Sequence, residues 1–116
     1  MMQYSSIITT PSPRVNAYVS LQVSRVVPVK NMHRLSLSWV LEPLQHDYRA
    51  KSRLYVSHLL GHEGPGSLLS ALKGAMLGTG VCAGVSDDNL SDNSMFSLFN
   101  VTVTLTELGL ANWTEV

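Results

Sequence analysis

Cysteine is almost absent from the 116-residue sequence, which contains only Cys82. A single thiol has no partner for an internal disulfide, so the sequence excludes a small domain stapled by its own disulfides. Such cysteine usage is typical of a reducing compartment, and we therefore expect a cytoplasmic location.

Charge is scarce as well. Charged residues make up 14% of the chain and cancel to a net charge of zero. Without a basic excess, the protein has no long-range field that would recruit nucleic acid or an anionic membrane. Apolar runs are also short, and none approaches the roughly 20 residues that a membrane span requires. We therefore expect neither nucleic acid nor a membrane as a partner.

Acidic residues are missing from the first third of the chain. None precedes Glu42, although four basic residues do. An acid-poor start rich in serine and threonine, here MMQYSSIITTPSPR, is typical of organelle transit segments. The arginines are sparse and no cleavage pattern is visible, which favours an unstructured leader or a misplaced chain start instead. Residues 1–24 are therefore predicted to be a flexible lead-in, with organelle targeting left open.

The remaining pattern predicts one small α+β domain. Apolar–polar alternation predicts strands, and longer apolar stretches between glycines and prolines predict helices. The predicted elements are strands 17–23, 34–41, 79–85 and 95–105, helices at about 48–62 and 68–76, and a helix that begins at Glu107. This order indicates a mixed or antiparallel sheet packed against helices, with an antiparallel strand pair near the end.

Several side chains have predicted environments. Ser67 and Thr106 are positioned to cap the second and third helices. The first helix is expected to be buried on most sides after Leu54, and Cys82 to be a small core residue. The last strand should direct five residues inward: Met95, Phe99, Val101, Val103 and Leu105.

Two histidines four residues apart, His58 and His62, resemble half of a zinc-peptidase motif. A helical His-x-x-Glu-His site needs a glutamate beside the second histidine, but Gly61 occupies that position. Glu63 lies two residues away and points in a different direction along a helix. His62 and Glu63 also fail the His-Glu-x-x-His order. We therefore predict no metal site, and expect two histidines hydrogen-bonded to neighbours on a partly buried helix.

The stretch DDNLSDN resembles a calcium loop only in composition. Asp92 stands where an EF-hand loop needs glycine, and Leu98 where it needs the closing glutamate. An acidic hairpin loop is the better interpretation.

Three segments carry a family resemblance: VVPVKNMHRLSLSWVLEPL, YVSHLLGHEGPGSLLSALK and LTELGL. Together they resemble the insulin-degrading-enzyme and pitrilysin (insulinase) family of zinc metallopeptidases, at the start of its second, non-catalytic domain. The block at residues 61–67 is the most specific part. The resemblance predicts that residues 25–116 are the N-terminal part of this domain, truncated at its C-terminus, and that residues 1–24 are unmatched.

This resemblance implies a fold and a role. In this family, four related α+β domains form two halves around a chamber, and the catalytic zinc lies in the first domain. The chain would then contain no catalytic residue and no cofactor of its own, with zinc in the catalytic domain of the parent enzyme. Whether the chain counts as an enzyme is left open, and alone it is predicted to be inactive.

The resemblance also implies a substrate-binding site. Gly61 and Glu63 match family residues that, with the following strand, form an exosite for the N-terminal segment of peptide substrates. A carboxylate that bonds local backbone amides is the alternative for Glu63. One departure concerns the turn after the second helix, because the family usually has Lys-Gly-Trp where this chain has Ala75, Met76 and Leu77.

The predicted function is therefore that of a partial, non-catalytic domain of such a peptidase, which anchors substrates and shapes the chamber. A stand-alone peptide- or partner-binding module and a non-functional remnant are the alternatives. The expected partners are peptide substrates and the remaining domains of the peptidase. A second copy that associates through exposed edges would be another partner.

Overall fold

The computed structural model describes residues 3–7, 22–27, 29–43, 48–85 and 92–116. One five-stranded sheet has the order β2-β1-β3-β5-β4. Only the β1–β3 pair is parallel among its described neighbours. The strands are β1 (Gln3–Ile7), β2 (Gln22–Val26), β3 (Arg34–Leu41), β4 (Gly78–Val85) and β5 (Ser97–Leu105). The helices are α1 (Ser52–Leu60), α2 (Leu68–Gly74) and α3 (Glu107–Ala111).

The predicted α+β class with a mixed sheet is confirmed. β3, β4, β5 and the two later helices lie where the sequence pattern indicated. The strand predicted at 17–23 falls mostly outside the described residues, and the strand seen there begins at Gln22. Within the described ranges, no helix is both long and apolar enough to cross a membrane.

β1 was not predicted, because it falls within residues 1–24, which were expected to be a flexible lead-in. The structure pairs β1 with β2 in antiparallel fashion and with β3 in parallel fashion, where Tyr4 lies opposite Leu35. A parallel partner about 30 residues away along the chain leaves no local turn signal. The segment QYSSI also has too little apolar alternation to indicate a strand.

The core lies between α2 and the inward face of β3 and β5. Its buried apolar residues are Leu35, Leu69, Leu72, Phe99, Val101, Val103 and Leu105. Four of the five inward residues predicted for the last strand are therefore confirmed. The prediction for Met95 was wrong. Its side chain is 82% exposed because it precedes β5, and Ser97 takes the first inward position instead.

Both predicted helix caps are confirmed. The Ser67 hydroxyl accepts a hydrogen bond from the Ser70 backbone N–H at 3.1 Å. The Thr106 hydroxyl accepts one from the Gly109 N–H at 3.0 Å. Each bond satisfies a backbone donor that has no partner within its own helix, which fixes where the helix begins.

The turn after α2 contains residues 75–77, where the sequence departs from the Lys-Gly-Trp of the family pattern. The Leu77 N–H donates to the Leu72 carbonyl at 2.9 Å, and the Met76 N–H donates to the Lys73 carbonyl at 3.0 Å. These two bonds define a Schellman motif, whose central residue adopts a left-handed conformation. Met76 has a φ of 57° and occupies this position. The turn therefore forms with a methionine at the position where glycine is the favoured residue.

Met76→Gly should stabilise the protein by about 1 kcal/mol, because glycine avoids the left-handed strain and loses only part of that gain to backbone entropy. The methionine side chain is mostly exposed, so little burial is lost. Urea denaturation of both proteins measures the difference. Ala75→Gly is the control, since Ala75 has a φ of −81° and its replacement should destabilise. An unchanged midpoint for Met76→Gly would contradict the strain argument.

α1 differs most from its prediction. It is shorter than 48–62, and none of its nine residues is buried. Leu60 packs at the margin of the core cluster, whereas four other apolar side chains are exposed: Leu54, Tyr55, Val56 and Leu59. The helix is apolar in composition, but within the described residues no element covers its exposed side chains.

Candidate functional site

The candidate site is the turn between α1 and α2, which contains Gly61 and Glu63. Gly61 ends α1, and its N–H donates to the Ser57 carbonyl at 2.9 Å. A Cβ at Gly61 would lie 3.0 Å from that same carbonyl oxygen, so a larger residue would crowd the helix end. Gly66 has a φ of 79°, which favours glycine and reverses the chain toward α2.

The helices on either side of the turn both pack against β4. Ser57 of α1 approaches Gly84, where an added Cβ would be 3.5 Å from the Ser57 hydroxyl oxygen. Leu72 of α2 approaches Gly78 in the same way, at 3.5 Å. Glycines at both ends of β4 therefore allow the two helices to approach the strand closely.

Glu63 is exposed in this turn. In the part of the chain that the structure describes, its carboxylate forms no hydrogen bond or ion pair. The alternative that Glu63 bonds local backbone amides is therefore not what the structure has. The carboxylate is available to an external donor.

The two histidines do not form half of a zinc site. Their ring centroids are 6.0 Å apart at an interplanar angle of 54°. Both side chains are exposed, contrary to the expectation of hydrogen-bonded histidines on a partly buried helix. His62 lies beyond the end of α1, and its ring occupies the space where a Cβ on Gly64 would be. Among the described residues, no three histidine, cysteine or acidic side chains cluster as a metal site would require. These residues do not fit a catalytic zinc ion.

β4 is an edge strand of the sheet over the described ranges. The direction of its backbone groups follows from the pairing of β5. The Leu105 N–H donates to the His33 carbonyl, next to β3, whereas the Thr106 N–H donates to the Leu77 carbonyl, next to β4. Because these directions alternate along an antiparallel strand, Thr104, Thr102 and Asn100 turn their backbone groups toward β4.

The residues opposite these three are Gly80, Cys82 and Gly84, and their backbone groups are therefore used within the sheet. The alternate residues of β4 point their N–H and C=O groups away from β5. These outward residues are Val81, Ala83 and Val85. Between the described elements, no hydrogen bond uses these groups, so β4 offers a short row of alternating donors and acceptors.

Side chains along β4 are small, and Cys82 is one of them. The prediction that Cys82 is a core residue was wrong, because its side chain is exposed. It lies opposite Thr102, on the face away from the buried valines of β5. No lysine or proline protects this edge, although natural edge strands commonly carry one.

Asp92, which sequence analysis assigned to a hairpin loop, forms a polar cluster with α1. Its carboxylate accepts a hydrogen bond from Arg53 at 2.5 Å and another from the Ser97 hydroxyl at 2.6 Å. The hydrogen bond from Ser97, followed by that from Arg53, lowers the pKa of Asp92 below its ordinary value. Asp92 is therefore ionised at neutral pH. No local pattern predicts a contact between residues 39 positions apart.

An apolar cavity of about 260 Å³, open to solvent on one side, lies between the first turns of α1 and the sheet. It is lined by Trp39, Leu41, Ser52, Arg53, Val56 and Phe99. The beginning of α1 is therefore separated from the sheet, while its middle lies close to β4.

Comparison with known proteins relates the chain to a family of peptidases. The family described as "Peptidase M16 inactive domain" matches residues 7–116, and so begins earlier than the resemblance at about Val26. Nardilysin from Homo sapiens is 39% identical over 92 residues, which are 79% of this chain and 8% of that protein. "Insulin-degrading enzyme-like 1, peroxisomal" from Arabidopsis thaliana is 37% identical over 92 residues, 79% of this chain and 9% of that protein.

A third relative is "Putative zinc protease mug138" from Schizosaccharomyces pombe. It is 35% identical over 106 residues, 91% of this chain and 10% of that protein. The crystal structure of pitrilysin matches 99% of this chain and 10% of its own, with a TM-score of 0.68 at 18% identity. The chain therefore spans a tenth or less of the length of these proteins, and the structural match concerns the fold.

Proposed function

The chain belongs to the peptidase M16 family, which includes insulin-degrading enzymes and pitrilysin, and it matches the inactive domain of that family; from this premise we propose that it anchors the N-terminal segment of peptide substrates. Glu63 binds the free α-amino group of the peptide. The outward edge of β4 binds the backbone of the following residues. Peptide cleavage and the zinc ion belong to another domain of the parent enzyme.

The observation that carries this proposal is the unpartnered Glu63 carboxylate at the end of α1. An α-ammonium group is a triple donor with a positive charge, so an ionised carboxylate without a partner is a suitable acceptor. The carboxyl end of a helix has a partial negative charge that favours a cation in the same place. Gly61 keeps this end of α1 free of side-chain bulk.

The edge of β4 supplies the second part of the site. Val81, Ala83 and Val85 offer main-chain donors and acceptors that an extended peptide can pair with, which is β-augmentation. Main-chain pairing is insensitive to side-chain identity, so the site would accept many peptide sequences. Such tolerance suits a domain whose parent enzyme acts on peptides.

The exposed face of α1 supports a role within a larger assembly. Three exposed apolar side chains that do not line the cavity, Leu54, Tyr55 and Leu59, form a surface of the kind that a partner covers. We propose that the remaining domains of a peptidase cover this face. A second copy of the chain is the competing partner, and measuring the oligomeric state of the isolated chain distinguishes the two.

Glu63→Gln tests the anchor. The probe is a short, C-terminally labelled peptide with alternating valine and serine, prepared with a free and with an acetylated N-terminus. The wild type should bind the free amine about tenfold more tightly than the acetylated form, since a charge-assisted hydrogen bond contributes about 1.5–3 kcal/mol before screening. Glu63→Gln should remove most of this preference. Fluorescence anisotropy measures both affinities.

Glu115→Gln is the matched control, because it makes the same charge change at an exposed residue near the C-terminal end of the given sequence. It should leave the preference for the free amine unchanged. Equal affinities of the wild type for the two peptides would overturn the assignment of Glu63. An equal loss in both variants would instead indicate a general effect of net charge.

A further inference from the structure

The middle and the end of α1 are held by β4 and by the contact of Leu60 with the core, whereas its beginning has no such contact. The helix buries no residue, and the cavity beneath its first turns separates its beginning from the sheet. Within these first turns, apolar contacts with the sheet are therefore few. Polar contacts accordingly have a large share in positioning the beginning of α1.

The contact at the beginning of α1 is the pair formed by Arg53 and Asp92. Asp92 is itself well fixed, because its second oxygen accepts the hydroxyl of Ser97, whose exposed fraction is 0%. The next residue, Asn93, closes a turn by accepting the backbone N–H groups of Met95 and Phe96 at 2.9 and 3.1 Å. Arg53 is thus bound to a residue that Ser97, the first residue of β5, holds through a second hydrogen bond.

We propose that the cluster of Arg53, Asp92 and Ser97, here called the helix clamp, positions the peptide anchor at the other end of α1. The inference rests on the proposed function of Glu63 and adds positioning residues to it. Arg53 and Asp92 do not contact the peptide. They set the tilt of α1, and through it the place of Gly61 and Glu63 relative to the β4 edge.

The length of α1 explains why this effect reaches the anchor. Arg53 and Gly61 are eight positions apart, which corresponds to about 12 Å along a helix. The contact of Ser57 with Gly84 lies between them, close to the sheet. If the clamp opens, the cavity leaves room for the beginning of α1 to move, and the helix pivots about this middle contact. The end that leads into Glu63 then moves in the opposite direction.

A double-mutant cycle on the full chain tests the clamp, with the same free and acetylated peptides as probes. Arg53→Met keeps the apolar stem over the cavity and removes the charge. Asp92→Asn keeps an acceptor for Ser97 and removes the charge partner. Each variant should lower the preference for the free amine about fivefold, and the double variant should be no worse than either. The exchanged pair Arg53→Asp with Asp92→Arg should recover part of the preference.

Lys73→Met is the control for a lost positive charge, at an exposed position of α2, and should bind like the wild type. All affinities are measured where unfolding curves show every variant to be folded. Additive losses, or an unchanged preference in Arg53→Met, would overturn the clamp. If Glu63→Gln abolishes the preference while the clamp variants keep it, only the clamp is wrong. If the wild type shows no preference at all, the proposed function itself fails.

Discussion

Replacing Gly109 with alanine should destabilise the chain by about 3 kcal/mol or more, a large part of the stability of a small domain. Gly109 is buried in the first turn of α3. A Cβ there would overlap the carbonyl oxygen of Leu77 and approach its carbonyl carbon and Cα. Because these are backbone atoms, no side-chain rotation relieves the overlap.

The overlap also affects several bonds at once. The Leu77 carbonyl accepts the N–H of Thr106 at 3.1 Å, and the Thr106 hydroxyl donates to the Met76 carbonyl at 2.6 Å. Moving α3 away from Leu77 breaks both, and with them the junction between α2 and α3. Urea denaturation followed by circular dichroism measures the loss.

Gly74→Ala is the matched control, because a Cβ at Gly74 meets no atom within 4 Å. Alanine at this position in α2 should be neutral or stabilise by up to about 1 kcal/mol through its better helix propensity. A similar loss in both variants would show that the close contact between α3 and Leu77 is not the cause.

Ala83→Pro should keep the fold and lower the affinity for peptides about tenfold. Proline removes the N–H of Ala83, which points away from β5, so no bond within the sheet is lost. On the peptide side, one main-chain hydrogen bond disappears, and the proline ring occupies space that the peptide backbone needs. A net loss of about 1 kcal/mol for the bond alone is about fivefold in affinity, and the space taken by the proline ring accounts for the rest.

Cys82→Pro is the opposite case one residue earlier. The N–H of Cys82 points toward β5 and Thr102, so proline would break the ladder and should unfold the strand. The two variants are compared by their unfolding midpoints and by peptide anisotropy. An unfolded Ala83→Pro with a folded Cys82→Pro would show that the assigned directions of the backbone groups are reversed. A folded Ala83→Pro that binds with wild-type affinity would remove β4 from the proposed site.

Local patterns predicted the elements that carry their own signals. Alternation predicted the inward face of β5, and a hydroxyl before an apolar run predicted the caps at Ser67 and Thr106. These features depend on a few adjacent residues, and neighbouring elements do not change them. The turn at Met76 was harder to predict from the sequence, because tertiary contacts hold a left-handed conformation that methionine disfavours.

The errors arose where contacts between distant segments decide the outcome. The apolar composition of α1 predicts a buried helix, but composition cannot show whether a covering element is present. The side chain of Cys82 belongs to an edge strand, and strand order is not visible in its own segment. The link between Arg53 and Asp92 depends on how the hairpin of β4 and β5 meets α1. The sequence therefore predicted Glu63 as a site residue, but not the cluster that we propose positions it.

The exposed thiol of Cys82 also provides a site for a fluorescent dye that reports peptide binding. It is the single cysteine of the chain, so a maleimide dye would attach at one position without mutagenesis. Strand side chains stand roughly perpendicular to the sheet, so a dye here would project from the outer face and leave the β4 edge free. A peptide that pairs with this edge would rigidify the strand and change the dye's emission. Stopped-flow fluorescence on the singly labelled protein would then measure the rate at which the peptide docks.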